Sequence, residues 1–301
     1  MRFVTLLLLV HAMASSAISA ENYVIENVNL VPMTEEVVLA DRSVQIAEGR
    51  IQKICQRSAD CSQPGSNHID GRGKYLIPGL IDMHAHTEPG LIPGAPAPLV
   101  EMLKRVQEQQ LKQYVLFGVT TTRDTGGGPQ NLKQRERIRE SEILGPRIYS
   151  SKLVMDGEPR LHPATIPFAD PGVAADYVRQ TVAEGYDMIK IYSTLQQPVF
   201  DAIIDAAAES DTPVVGHVPM PIDFEYVLQR GLRSIEHLSG FGMYCAGPEA
   251  GLQPTMDDVY QGLNFCTPEK VASVAAMVAK YPVWVDPVSY THLTLPTNRE
   301  V

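Results

Sequence analysis

From Tyr75 onward the chain alternates between segments typical of β-strands and segments typical of amphipathic helices, and this alternation constrains the fold more than any other feature. Strands separated by helices pair in parallel, because each helix carries the chain back across the sheet. The predicted strands span residues 75–83, 119–123, 147–154, 188–192, 213–217, 234–237 and 283–285. The predicted helices span residues 99–117, 131–142, 173–184, 199–209, 222–229 and 268–280.

Seven such strands predict an α/β fold, a TIM-like (β/α)8 barrel that lacks its last unit. A doubly wound open sheet is the alternative architecture, but no Gly-rich nucleotide loop follows the first strand. Upstream of the alternation, the sequence has only short strand patterns separated by turns. We therefore expect a partial β-sandwich domain at residues 21–75 and a barrel domain at residues 76–288.

The sequences at the two ends of the chain are not expected to belong to either domain. Residues 1–20 combine Arg2, an apolar run and a stretch of small residues, which predicts a signal peptide and export to the periplasm or the extracellular space. A buried N-terminal helix is the alternative. Residues 289–301 look like translated sequencing-adapter sequence, so we expect a non-native tail on a truncated chain; an ordinary disordered terminus is the alternative.

The formal charge of −10 argues against nucleic acid or an anionic membrane surface as the main partner. No segment after the signal is apolar and long enough to span a bilayer. A small-molecule substrate is the expected partner, and a homo-oligomer is left open. An exported protein can form disulfides, but whether Cys55 pairs with Cys61, or Cys245 with Cys266, is also left open.

The first barrel strand runs into two histidines, His84 and His86. Side chains at positions i and i+2 of a strand point to the same side, so both imidazoles project together. Such a pair suits Zn²⁺ or a similar metal. A His-x-His pair alone is as often structural as metal-binding, so residues elsewhere in the chain are needed to distinguish the two roles.

Other polar residues stand at matching places, at the carboxyl ends of later strands, where the chemistry of barrels is located. His217 and His237 end the fifth and sixth strands, and Lys190 lies in the fourth. Each histidine alone could be a core residue, and a lone lysine could reach solvent. A buried lysine has a lowered pKa, and its neutral amine can react with CO₂ to give a carbamate that bridges two metals. Together these residues predict a metal centre.

At this point the sequence resembles the amidohydrolase superfamily, specifically its secreted prolidase-like and imidazolonepropionase-related branch. The resemblance implies a dinuclear metal centre in which His84 and His86 bind one metal and His217 and His237 the other. Lys190 would be the carbamylated bridge. The motifs that carry the resemblance lie at residues 78–86, 118–124, 189–191, 216–219 and 235–238.

The resemblance also implies a reaction, in which a hydroxide shared by two divalent metals attacks the carbonyl carbon of an amide or peptide, and the C–N bond then breaks. Lys190 and His237 would be catalytic, and dipeptides or N-acyl amino acids are the expected substrates. Zn²⁺ is favoured by the histidine ligands, with Mn²⁺, Co²⁺ or Fe²⁺ as alternatives. Two other functions stay open: an inactive exported metal-binding fragment or pseudoenzyme, and a cyclic amide or lactone hydrolase.

Three further residues are predicted to support the site. His162 and Tyr192 are candidate substrate contacts. Asp124 is expected to orient a histidine ligand without binding the metal itself. A structural role is the alternative for each of the three. The family's general base, an Asp at the end of the eighth strand, has no counterpart here, and Asp286 belongs to the seventh strand. We therefore expect the 301-residue chain to be poorly soluble or inactive.

Overall fold

The computed structural model describes residues 21–56, 58–61, 64–87, 96–252, 255 and 261–288. The described residues fall into two compact units that divide between Pro78 and Gly79. The predicted signal peptide (1–20) and the predicted non-native tail (289–301) lie outside the described residues. Among the described residues, no helix has both the length and the apolar character needed to cross a membrane.

The N-terminal unit is a five-stranded sheet with the order β3-β2-β1-β4, in which β5 also pairs with β1. Strands β1 to β3 are antiparallel neighbours, whereas β4 and β5 lie parallel to β1. Its elements are β1 (Tyr23–Leu30), β2 (Leu39–Ala47), β3 (Arg50–Cys55), α1 (Ser58–Cys61), β4 (Asn67–Asp70) and β5 (Tyr75–Leu76).

Local sequence explains two features of this unit. Glu48 and Gly49 both have positive φ angles, which lets a two-residue turn join β2 to β3 with the twist that a hairpin needs. Cys55 and Cys61 form a disulfide and are buried with Val24, so the cross-link adds to a small hydrophobic core.

The second unit alternates between strands and helices, as the sequence predicts. Its strands are β6 (Leu80–Ala85), β7 (Val119–Asp124), β8 (Arg147–Ser150), β9 (Met155–Asp156), β10 (Ile166–Pro167), β11 (Ile189–Ile191), β12 (Val214–Gly216), β13 (Ser234–Glu236) and β14 (Trp284–Asp286). Its helices are α2 (Ala97–Leu116), α3 (Pro129–Arg139), α4 (Pro171–Ala183), α5 (Gln197–Ala208), α6 (Phe224–Gln229), α7 (Phe241–Ala246) and α8 (Pro268–Val278), with short 3₁₀ turns at Pro248–Ala250 and Gly262–Phe265.

Every strand pairing described in this unit is parallel. One sheet has the order β6-β7-β8 and the other the order β10-β9-β11-β12-β13-β14, and a single bridge between Ser151 and Met188 connects them. This arrangement confirms the predicted α/β class. Parallel order also brings the carboxyl ends of the strands to one side, which is where the polar residues of interest lie.

The main hydrophobic core lies between the strands β11 to β13 and the helices that follow them. On α5, Val199, Phe200, Ile203 and Ala207 are buried at the spacing of one helical face, and they pack with Ile191 of β11 in the same core. Three helices start at a side-chain cap, because Asp170, Asp223 and Thr267 accept hydrogen bonds from the first turns of α4, α6 and α8.

Several segments differ from the sequence prediction. The strand predicted at residues 147–154 ends at Ser150, and the short strands β9 and β10 were not predicted. The strand predicted at residues 75–83 is broken, so that Tyr75–Leu76 belongs to the first unit and Leu80–Ala85 to the second. Pro78 lacks the amide hydrogen for a ladder bond, and a Cβ on Gly79 would lie 2.0 Å from Thr120 Oγ1. The short helix α7 was not predicted, because it is only six residues long and follows a left-handed Gly240.

Candidate active site

Four histidines and one lysine converge at the carboxyl ends of β6, β11, β12 and β13. The Nε2 atoms of His84 and His86 are 3.2 Å apart. The ring of His237 lies 4.4 Å from that of His84 and 5.4 Å from that of His217, measured between centroids. With Lys190, these residues line one cavity of about 660 Å³. The structure therefore brings together all five residues that the sequence analysis assigned to the metal centre.

Glycines next to the histidines create the space that the histidines occupy. A Cβ on Gly126 would lie 2.8 Å from Nδ1 of His86, so the loop after β7 can pass close to that ring only with glycine at this position. Gly216 has a φ of 137°, and a Cβ there would lie 2.1 Å from the carbonyl oxygen of Ile191. The close approach of β12 to β11 places His217 next to the end of β11.

The His217 ring is fixed by its neighbours. Its Nδ1 and the hydroxyl of Ser193 are 2.8 Å apart, and the ring of Tyr192 stacks on it at 4.1 Å between centroids. Its Nε2 is buried with no hydrogen-bond partner among the described residues. Burial, reinforced by the charge of Lys190, holds the pKa of His217 well below its usual value. The imidazole is therefore neutral, the form that binds metals.

His86 and His237 complete the histidine set. Burial, followed by the neighbouring His84, lowers the pKa of His86. His237 has a φ of 59° and the next residue, Leu238, a φ of 55°. The left-handed region is unusual for residues with a Cβ, and such conformations cluster at functional sites. The backbone N–H of His237 donates to the carbonyl of Asp286 at 2.9 Å, which anchors this turn to β14.

Lys190 lies one residue before the carboxyl end of β11, with its side chain buried. Its Nζ has no hydrogen-bond partner among the described residues. Burial lowers the pKa of Lys190 to about 8; the carboxylate of Glu236 opposes this change and the guanidinium of Arg123 adds to it. Roughly a tenth of the amine is therefore neutral at pH 7, far more than for an ordinary lysine.

Glu236 is a component of the site that the sequence analysis missed. It is fully buried, and its carboxylate accepts hydrogen bonds from His84 Nδ1, Arg123 Nη2 and Ser234 Oγ, each at 2.7 Å. Burial opposes ionisation, but the hydrogen bond from His84 and the charges of Lys190 and Arg123 outweigh it and hold the pKa of Glu236 at about 2. The available signal was a glutamate inside an otherwise apolar strand, which needs partners.

His84, Glu236 and Asp286 also form a group whose potential ligand atoms lie within 4.8 Å of one another. The Nδ1 atom of His84 already donates to Glu236 in this group. The Arg123 guanidinium is 2.7 Å from Glu236 and 3.8 Å from Asp286, and its positive charge would repel a second cation. A metal therefore fits better on the Nε2 side of His84, which faces His86.

The three supporting residues of the sequence analysis have different positions. His162 and Tyr192 line the same cavity as the histidines. Asp124 accepts hydrogen bonds from the backbone N–H and the hydroxyl of Thr87 at 2.5 and 2.7 Å, and from the N–H of Gly126 at 3.1 Å. Asp124 thus holds the backbone that follows His86, and its orienting of a ligand histidine stays a prediction.

A sequence profile described as the amidohydrolase family matches residues 75–249, which is more than half of the chain. The chain belongs to the amidohydrolase family. The match includes all five residues of the convergent cluster and confirms the resemblance predicted from the motifs.

Curated relatives match over short segments only. An adenine deaminase of Ruegeria pomeroyi is 36% identical over 69 residues, which is 23% of this chain and 11% of that enzyme. An imidazolonepropionase of Stenotrophomonas maltophilia is 36% identical over 62 residues, or 20% of this chain and 15% of that protein. The matched segment thus spans about a tenth of the deaminase, too little to transfer an activity.

Solved structures match over most of the chain. A prolidase complexed with N-methylphosphonate-L-proline superposes with a TM-score of 0.62 at 22% identity, covering 88% of this chain and 77% of the prolidase. A Xaa-Pro dipeptidase with bound methionine superposes with a TM-score of 0.62 at 20% identity, covering 89% and 79%. These similarities confirm the amidohydrolase fold.

Proposed function

We propose that the protein is a metal-dependent hydrolase of C–N bonds, acting on dipeptides or N-acyl amino acids. The observation that carries this proposal is the convergence of His84, His86, His217, His237 and Lys190 on one cavity. Membership of the amidohydrolase family also supports the proposal. The five residues lie at the carboxyl ends of strands, where the active sites of barrel enzymes are located.

The residues fit divalent metal ions. Nε2 of His217 and Nζ of Lys190 are buried polar atoms with no hydrogen-bond partner among the described residues, and such atoms are costly unless a ligand satisfies them. The lowered pKa values of His86 and His217 keep these imidazoles neutral and able to bind a metal. When bound, two divalent metals, with Zn²⁺ favoured, would act as Lewis acids and lower the pKa of a water molecule.

Lys190 would enter the site as a carbamate. In this reaction the lone pair of the neutral amine forms an N–C bond to CO₂, and the amine loses a proton to solvent. The product carries one negative charge and two oxygens where an ammonium would repel the metals. The buried position of Nζ among histidines supports this assignment.

The rest of the cavity would bind and orient the substrate. His237 stands beside the other histidines, where its ring could stabilise negative charge on the carbonyl oxygen. Tyr192 and His162 offer polar contacts, and Leu153 and Ile166 offer apolar ones. A volume of about 660 Å³ is within the range of small-molecule sites, which suits a dipeptide.

A second candidate is a non-catalytic metal-binding protein. Among the described residues that line the cavity, none carries a carboxylate that could act as a general base. Such a protein would bind metal at the same histidines without turnover.

We also propose export to the periplasm or the extracellular space. The sequence of residues 1–20 supports this localisation, and so do the disulfides Cys55–Cys61 and Cys245–Cys266, since disulfides persist in oxidising compartments. Thiol labelling of the denatured protein from the periplasmic fraction would test it. We expect no free thiol, whereas labelled cysteines would contradict export.

Metal loading followed by a substrate panel tests the proposed function. The purified protein is loaded with Zn²⁺, Mn²⁺ or Co²⁺, its metal content is measured, and dipeptides, N-acyl amino acids, a cyclic amide and a lactone are assayed. The proposal requires hydrolysis of a linear amide, which would also contradict the prediction that the 301-residue chain is inactive. That activity should be lost in Lys190→Met and kept in the exposed control Lys133→Met. Metal binding without turnover favours the metal-binding protein, and turnover of the cyclic substrates alone favours a cyclic amide or lactone hydrolase.

A further inference from the structure

Glu236 and Arg123 form a buried ion pair that touches the histidine cluster from outside the cavity. The Glu236 carboxylate is fully buried, and the Arg123 side chain is mostly buried. Arg123 Nη2 donates to Glu236 at 2.7 Å, and Arg123 Nε donates to the carbonyl of Met83 at 2.6 Å. The guanidinium therefore holds both the backbone next to His84 and the carboxylate that faces the His84 ring.

The same carboxylate fixes the protonation pattern of the ring. Glu236 as a carboxylate can only accept a hydrogen bond, so Nδ1 of His84, at 2.7 Å from Oε2, must carry the hydrogen. When the ring carries this hydrogen alone, its lone pair lies on Nε2, which faces Nε2 of His86 at 3.2 Å. In protein metal sites, partners of this kind fix the orientation of a histidine ligand and raise its basicity.

We propose that Glu236, held by Arg123, is a positioning residue that locks His84 in the Nδ1–H tautomer and presents Nε2 to the metal site. The inference rests on the proposed function only in taking Nε2 of His84 as a metal ligand. The lock itself is a property of the metal-free protein. Glu236 also directly precedes His237, so one residue links ligands on two strands, β6 and β13.

A cation bound by His84, Glu236 and Asp286 is the competing arrangement, and it would need the opposite tautomer. Such a cation would take the lone pair of Nδ1 and would have to displace the hydrogen bond to Glu236. It would also lie next to the Arg123 guanidinium, which is within 3.8 Å of both carboxylates. The positive charge on Arg123 makes this position unfavourable for a divalent ion.

Nitrogen NMR of the metal-free protein tests the lock directly. With ¹⁵N-labelled histidine, two-bond ¹H–¹⁵N correlations distinguish the two tautomers, and His84→Gln identifies the His84 signal. We expect the Nδ1–H form in the wild type and a mixture of tautomers in Glu236→Ala. The Nε2–H form in the wild type, or an unchanged signal in Glu236→Ala, would overturn the proposal.

Metal affinity provides the second readout. Zn²⁺ dissociation constants are measured by competition with a chromogenic chelator for wild type, Glu236→Ala, Glu236→Gln and the control Glu209→Gln, an exposed glutamate paired with Arg179. We expect affinity losses of roughly 10- to 100-fold for Glu236→Ala. Glu236→Gln keeps the shape and an acceptor oxygen, so we expect a smaller loss and a retained fold. Wild-type affinity in both Glu236 variants would contradict the inference.

The two proposals fail separately. A wild-type protein that shows the tautomer and binds Zn²⁺ but hydrolyses nothing removes the proposed function and keeps the positioning role of Glu236. A protein that hydrolyses amides although its His84 is not held in the Nδ1–H tautomer removes the positioning role of Glu236 and keeps the proposed function.

Discussion

A lysine buried without a hydrogen-bond partner is costly for a folded protein, and Lys190 has that position at the centre of the cluster. The cost is tolerated where the amine has a task that an apolar residue cannot perform. Its protonation should therefore be visible in the stability of the metal-free protein.

We expect the free energy of unfolding of the metal-free protein to rise with pH between about 8 and 10.5, the folded and the ordinary pKa of Lys190. In that interval the unfolded chain binds more protons at Lys190 than the folded protein does, so raising the pH favours the folded state. Urea unfolding at several pH values measures this slope. Lys190→Met should lose that part of the slope and Lys133→Met should keep it; equal slopes in all three proteins would refute the assignment.

A substitution at Gly126 tests how closely the loop after β7 confines the ring of His86. Gly126→Ala places a Cβ 2.8 Å from Nδ1 of His86, so the ring has to move. We expect weaker Zn²⁺ binding and a lower kcat, since a displacement of about 1 Å can cost on the order of 100-fold in rate. Chelator competition and initial rates measure both effects. Wild-type metal affinity in this variant would mean that His86 is not held in place by the loop.

At the scale of residues, the sequence predicted which side chains meet but not what supports them. The histidines and Lys190 could be found because parallel strands place their carboxyl ends side by side. Glu236 and Ser193 were not predicted, because their roles depend on which atom of a histidine ring they face across neighbouring strands. Pairing geometry of that kind follows from strand register and is not visible in local sequence.

At the scale of elements, β12 depends on the backbone conformation of one residue, Gly216. Gly216 has a φ of 137°, and an added Cβ would lie 2.1 Å from the Ile191 carbonyl oxygen. An L-residue there meets both a strained φ and a backbone clash in the layer that carries His217. Strain of this kind costs about 1–3 kcal/mol before any clash is counted.

We therefore expect Gly216→Ala to destabilise the protein more than Gly231→Ala. Gly231 also has a positive φ, of 98°, but nothing lies within 4 Å of an added Cβ. The free energy of unfolding of the control variant Gly231→Ala should fall by about 1–2 kcal/mol, because of its left-handed backbone alone. Denaturant unfolding compares the two variants, and equal losses would show that β12 can move away from β11.

The elements were largely predictable because their local signals agree. Proline at the first helical position and Asp or Thr caps mark the starts of α4 and α8, and apolar periodicity marks their buried faces. The break at Pro78 was missed because apolar residues flank it on both sides, so the hydrophobic pattern continues across the division between the two units.

On the scale of the whole molecule, β6 and β14 each lie at one end of a described parallel sheet. Ile81, Met83, Trp284 and Val285 line a groove of about 340 Å³ between them, with Ile81 58% and Trp284 79% exposed. Unpaired strand edges with exposed apolar side chains favour association. The site lies close by, because Arg123 also lines this groove.

We expect the purified 301-residue chain to self-associate through this groove and to bind a hydrophobic dye. Trp284→Lys should increase the monomer fraction in light scattering, because it places a charge on the exposed edge. Val173→Lys, at an exposed apolar residue on α4, is the matched control and should have no effect. A wild-type monomer that binds no dye would contradict the prediction.

The fold class could be predicted at this scale, because strand–helix alternation leaves few topologies. The bridge between Ser151 and Met188 that connects the two parallel sheets, and the break of the first predicted strand at Pro78, could not be predicted. Both depend on long-range contacts that leave no periodic signal in the sequence.

The hydrogen bond between His84 and Glu236 joins residues that are 152 positions apart. Contacts of such long range form late in folding, because a long loop must close before they do. A chain that is still being synthesised or is only partly folded therefore has no finished histidine pocket. If the proposed metal binding and export hold, the ion is selected from those that surround the protein where folding ends, outside the cytoplasm.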